Sequence, residues 1–299
     1  MNLPYHILDV FTDTPYAGNP LAVVLQADAL SPAQMLAVAR EFNLSETVFV
    51  RAPRAATAAA QLRIYTPARE LPFAGHPTVG AACLLSELGL APQAGDEEAR
   101  FVLEEGIGPV AVGVRRRAGQ APYAELTTAQ LPEYGPTPDE AAVAAILGLQ
   151  RADLGSDGER VRAVSCGVPF VLVPLRAPEL LASIALDGAA WHRHLAGQWA
   201  QQLYVYARGY EGELRARMFA PGLGVAEDPA TGSAAAALAG ALASESPQAE
   251  GRLQWLIRQG LEMGRPSELH VCAERAGGAV AAIRVGGHAV RVASGTLFI

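Results

Sequence analysis

Positive charge, cysteine and long apolar runs are scarce in this sequence, and each scarcity removes a class of function. Only 18% of the 299 residues are charged, the formal net charge is −7, and apart from residues 115–117 the arginines are scattered. No basic stripe is available to follow a phosphate backbone, so a nucleic-acid partner is not expected. The three cysteines, Cys83, Cys166 and Cys272, stand apart without CxxC spacing. That argues against a disulfide framework and fits a reducing, cytoplasmic setting. No stretch reaches the roughly 18 consecutive apolar residues of a membrane-spanning helix. The opening MNLPYHILDVFTDTPY has no basic segment followed by an apolar one, and Asp9 and Asp13 interrupt it. Neither a signal peptide nor a membrane partner is expected.

Several chemical signatures are missing as well. His192 and His194 are two residues apart, which splits their rings around a helix, and no nearby carboxylate completes a metal site. Gly222-Leu-Gly224 lacks the third glycine and the βαβ setting of a dinucleotide fingerprint, and no GxxxxGK[ST] loop occurs. Gly232-Ser233-Ala234 is not the GxSxG elbow of a hydrolase. No metal and no cofactor are expected.

What is present is apolar material, 51% of the residues, enough for a sizeable core. The length suits one large domain or two of about 150 residues. An internal repeat favours two. Arg63-Ile-Tyr-Thr-Pro67, ahead of ARELPFAGHPTVGAA, is matched by Arg217-Met-Phe-Ala-Pro221, ahead of GLGVAEDPATGSAAAA, an offset of 154 residues. Gly18-Asn-Pro20 is echoed by Gly167-Val-Pro169 at an offset of 149. Each long copy reads as a strand ending at proline, a loop rich in glycine and proline, and an Ala-rich helix.

Short apolar strands fill the rest: YHILDVF, LAVVL, TVFVR, LRIYT, RFVLEE and PVAVGV, then VRAVSC, FVLVPL, QLYVYA, RARMFA, ELHVCA, AVAAIRV and HAVRVASGTLFI. Turn-sized links at 106–109 and 284–288 predict antiparallel or mixed sheets. Helices are expected only near 31–42, 78–88, 138–147, 191–201 and 232–243, too few for continuous βαβ alternation. The helices at 78–88 and 232–243 are almost uncharged, as a helix enclosed by sheet would be. The expected fold is therefore α+β: two pseudo-symmetric lobes, each a curled, barrel-like mixed or antiparallel sheet around a central helix. The lobes are placed at 1–125 and 126–299, leaving open that the last strand crosses back to the first. The Ala-rich stretch 55–60 and GDEEAR at 95–100 read as turns or surface segments, and 115–117 as a solvated hairpin end.

The loops before the two central helices carry the candidate chemistry. The first N–H groups of a helix lack intrahelical partners and carry partial positive charge, which suits a carboxylate. Gly75 and Gly232 let a ligand approach the backbone, and Thr78, Thr231 and Ser233 stand at or beside the helix starts. Ordinary capping by Asp228 or Thr231 is the competing explanation. His76, between glycine and proline in a loop, is placed to hydrogen-bond a ligand or exchange a proton. In EFNLSETVFV, Glu46 precedes a β-rich run and would serve as a general acid/base if partial burial raised its pKa.

With DVFTDTPYAGNPLAVVL, FNLSETVFV, RIYTPARELPFAGHPTVGAA and EDPATGSAAAALAG in order along nearly the whole chain, the sequence resembles the PhzF family of phenazine-biosynthesis-like isomerases. These are relatives of diaminopimelate epimerase. The resemblance implies a diaminopimelate epimerase-like fold with a cofactor-free site between the lobes. It implies Glu46 as the acid/base, with His76, Asp228 and Ser233 lining the substrate and the Gly75 and Gly232 loops holding a carboxylate. It also points to a homodimer. The related epimerases use two opposed cysteines, one at each helix start; AGHPTVG and DPATGSA contain none, and Cys83 lies two turns further along. Two-thiol epimerisation is therefore disfavoured and a one-carboxylate proton shuttle remains, acting as an isomerase on a small carboxylate-bearing metabolite. The alternative is a non-catalytic binder of small anionic metabolites on the same fold.

Overall fold

Strands bounded by glycine, proline and bulge positions form two β-rich units in a computed structural model that describes residues 1–93, 98–155 and 158–299. One unit comprises residues 1–127 with 286–299, the other residues 128–285.

In the first unit the strands are β1 (Asn2–Val10), β2 (Asn19–Val24), β3 (Glu46–Arg51), β4 (Ala60–Tyr65), β5 (Glu70–Leu71), β6 (Glu98–Glu105), β7 (Gly108–Arg115) and β8 (Tyr123–Thr127). Antiparallel β1–β2 is followed by parallel β2–β3, antiparallel β3–β4, parallel β4–β6, and antiparallel β6–β7 and β7–β8. The long β17 (Ala279–Phe298) pairs with β8 and, antiparallel, with β1, so eight strands close on themselves. Parallel neighbours need a crossover. Here α1 (Pro32–Phe42) links β2 to β3, and α2 (Gly75–Glu87) lies between β4 and β6 in the chain.

Every residue of α2 from His76 to Ser86 is buried, and the helix touches β1, β2, β3, β7 and β8. An apolar, nearly uncharged helix is stable only when surrounded in this way. Gly80 permits the close fit: a Cβ there would lie 2.6 Å from Leu21 Cδ2 and 2.7 Å from Val10 Cγ2.

The second unit contains β9 (Glu133–Gly135), β10 (Arg162–Ser165), β11 (Pro169–Leu175), β12 (Gln202–Arg208), β13 (Leu214–Ala220), β14 (Val225–Asp228), β15 (Gly251–Gln259) and β16 (Ser267–Ala276). From β10 to β16 the succession is antiparallel, parallel, antiparallel, parallel, antiparallel, the same order as from β1 to β7. Surface helices α3 (Glu140–Leu147), α4 (Glu179–Ala182) and α5 (Gly188–His194) precede the central α6 (Gly232–Glu245), which touches β10, β11, β15 and β16. The fold is thus α+β, with curled mixed sheets around core helices. Among the described residues no helix is long and apolar enough to cross a membrane.

Four sequence expectations change. The helix expected from residue 78 begins at Gly75, so His76 belongs to its first turn and is buried, not on a loop. The helix expected at 191–201 is α5, started earlier by Asp187, whose side chain accepts from Ala189 N and Ala190 N. The two last strands are one, running through Gly286 where a turn was expected. Finally, Ala60 already belongs to β4 and residues 98–100 to β6, while residues 94–97 of the GDEEAR segment lie outside the described residues.

Candidate active site

Glu46 is the first residue of β3, reached from α1 through Asn43, which ends that helix in the left-handed region (φ 50°). Register with β2 sets it beside Leu21. Its side chain is only 17% exposed, and its Oε2 lies 3.5 Å from Nε2 of the buried His76. The fold therefore brings together two residues 30 apart in sequence that were singled out independently. Burial drives the His76 imidazole down to about 3, so it is neutral at pH 7. The contact joins a carboxyl group to a neutral imidazole and is not an ion pair. Nε2 has no well-aligned hydrogen bond among the described residues.

The helix that carries His76 starts without a side-chain cap: Ala74 occupies the N-cap position. α6 also lacks one, because the Thr231 hydroxyl donates to Asp228 Oδ2 instead of capping its helix. By contrast α1, α3 and α5 are capped by Ser31, Asp139 and Asp187. The two core helices thus keep their first N–H donors clear of side-chain caps, the condition for receiving an anion. The half-buried Gly75 opens α2, and Gly232 opens α6. Thr78 is fully buried, with its hydroxyl 2.8 Å from Ala74 O and 2.7 Å from Glu105 Oε1.

In the second unit Asp228 ends β14 and Ser233 is the second residue of α6, the position that His76 holds in α2. Two residues not singled out from the sequence complete this corner. Gln259, at the end of β15 and fully buried, donates from Nε2 to Asp228 O (2.7 Å) and Thr231 Oγ1 (3.1 Å). Its Oε1 accepts from Thr231 N (3.2 Å) and Tyr204 Oη (3.1 Å). The amide satisfies both ends of the turn that leads into α6, and a buried polar group with a full set of partners rigidifies its surroundings. Only a polar residue closing an otherwise half-buried strand could have signalled it.

The family model for phenazine biosynthesis-like proteins, PhzC-PhzF, matches residues 8–295. The chain is 47% identical to an uncharacterised isomerase of Mesorhizobium japonicum, covering 99% of this chain and 98% of that protein. It is 35% identical to the trans-2,3-dihydro-3-hydroxyanthranilate isomerase of Pseudomonas aeruginosa, covering 99% of each. Its fold is similar to that of a PhzF-family phenazine biosynthesis protein of Bacillus anthracis, with a TM-score of 0.88, 23% identity and full coverage of both chains. These relationships decide between the isomerase and the non-catalytic binder in favour of the first. The chain belongs to the phenazine biosynthesis-like PhzF family and is a small-molecule isomerase.

Proposed function

We propose that Glu46 is the acid/base of this isomerase and that the substrate is a small metabolite bearing a carboxylate. The carrying observation is the Glu46 carboxyl group, 3.5 Å from a neutral, buried His76 in the uncapped first turn of α2. The Glu46 carboxylate takes a proton from a substrate carbon, and the electron pair left behind shifts along the substrate. The resulting carboxylic acid then delivers the proton to another carbon, so no atom is gained or lost. His76, unable to hold a charge at neutral pH, acts by hydrogen bonding. The free N–H groups at Gly75 bind the substrate carboxylate. Asp228, Gly232 and Ser233 are proposed as further substrate contacts because of their repeat-related positions. A homodimer belongs to the same proposal, and a sedimentation run showing only the 31.3 kDa species at micromolar protein would count against it.

The 35% identity to the Pseudomonas aeruginosa enzyme makes trans-2,3-dihydro-3-hydroxyanthranilate the first probe. Glu46→Gln keeps the shape and removes the proton acceptor, so turnover should fall by about 10²-fold or more while probe binding persists. Undiminished turnover in that variant would overturn the assignment.

A further inference from the structure

The β6–β7 hairpin tip is seated on the segment that leads into α2. Ile107 N donates to Pro72 O at 3.0 Å, and a Cβ on Gly106 would come within 2.7 Å of Pro72 Cα. Beside this seat Glu105, the last residue of β6, is 8% exposed, and Thr78 Oγ1 is 2.7 Å from its Oε1. The same Oγ1 is 2.8 Å from Ala74 O. Both separations are hydrogen-bond lengths, and each therefore needs a proton between its two oxygens. A threonine hydroxyl supplies one. Ala74 O is a carbonyl oxygen and can only accept; one hydroxyl proton cannot fill both links, and if Thr78 gives its proton to Ala74 O the second comes from Glu105.

The other oxygen of Glu105 supports the same assignment. Oε2 is buried and has no hydrogen-bond partner among the described residues. A bare carbonyl oxygen in that place costs far less than half of a carboxylate charge.

We propose that Glu105 is protonated in the native protein and, through Thr78, is the positioning residue for the turn that carries His76. Its O–H donates to Thr78 Oγ1, and Thr78 donates to Ala74 O, the residue immediately before the helix. This two-link chain ties the hairpin to both sides of His76. The consequence for catalysis rests on the proposed role of that turn; the protonation does not.

Burial accounts for the proton: it pushes the Glu105 carboxyl up to about 8 even against the pull that a Thr78 hydroxyl donating to the ionised form would exert. None of the titratable groups on α2, β3, β4, β5 or β7, among them His76, Glu46, Arg63, Tyr65 and Glu70, contributes to that shift. Glu104 is turned elsewhere, accepting from Arg54 N and Ala55 N at 2.8 Å each, and the chain has no lysine.

The test compares wild type with Glu105→Gln, whose amide can still donate to Thr78 but cannot ionise. Above the ordinary carboxyl value of 4.5 the unfolded chain releases this proton, whereas the native state keeps it until about pH 8. Wild-type stability should therefore decline relative to the variant as pH rises. The melting temperature of wild type minus that of the variant should fall from pH 5 to pH 8 and then level off. In the same interval the backbone amide resonances of Gly75, His76 and Thr78 should titrate in wild type with a midpoint near pH 8, and stay flat in Glu105→Gln. A melting gap that does not change with pH, or amides that titrate alike in both proteins, would overturn the proposal. Neither readout involves turnover, so its failure is distinguishable from a failure of the Glu46 assignment.

Discussion

At His76 a single residue shows how position decides chemistry. Placed on a loop it would titrate near 6.5 and switch charge at physiological pH. Enclosed in the first turn of α2, with only 7% of its side chain exposed, it stays neutral until about pH 3. The unfolded chain takes up a proton near pH 6.5 while the native state does not. The stability linked to this residue is therefore full above pH 6.5 and is lost as pH falls toward 3. Urea unfolding at pH 6.5, 5.5 and 4.5 should show wild type losing up to about 1.4 kcal/mol per pH unit more than His76→Asn, which has no titrating ring. Equal slopes in the two proteins would mean that the ring is open to protonation in the native state. Glu105 has the opposite sign, so the two buried groups press on stability from opposite ends of the pH range.

At the level of elements, α2 and α6 were legible because enclosure demands an unusual composition, an Ala-rich helix almost free of charge. Gly80 is part of that demand. Alanine favours a helix interior over glycine by about 1 kcal/mol, yet at 80 its methyl group would press on Leu21 and Val10. Overpacking of this kind costs about 1–3 kcal/mol. Gly80→Ala should therefore lower the urea midpoint despite its better propensity, and a raised midpoint would show that the neighbouring side chains can yield. β15 was not legible: in GRLQWLIRQ the alternation of Leu253, Trp255 and Ile257 is blurred by Leu256 and by polar residues at both ends. α5 was displaced because its start is set by the Asp187 cap and not by an apolar period. The Glu46–His76 pair was readable as two separate motifs, but its distance was not, since that depends on the β2–β3 crossover. Gln259 and Tyr204 escaped notice because their role exists only once β12 and β15 are folded.

For the whole molecule the decisive feature is the route of the chain. It builds most of the first unit, completes residues 128–285, and returns with 286–299. The returning half of β17 is the strand that joins β8 to β1, so the ring around α2 cannot close until residues 286–299 are in place. A fragment of residues 1–127 would expose two unpaired strand edges and leave the apolar α2 uncovered, conditions that favour aggregation. The termini suggest a remedy, because Ile299 N donates to Met1 O at 2.8 Å. A short glycine linker could join them with little loop-closure cost. A chain running from 286 to 299, through that linker, and on from 1 to 127 should fold by itself, with β-rich circular dichroism and a cooperative thermal transition. The plain 1–127 fragment should show neither. If both chains behave alike, closure of the ring by β17 is not what makes the first unit stable.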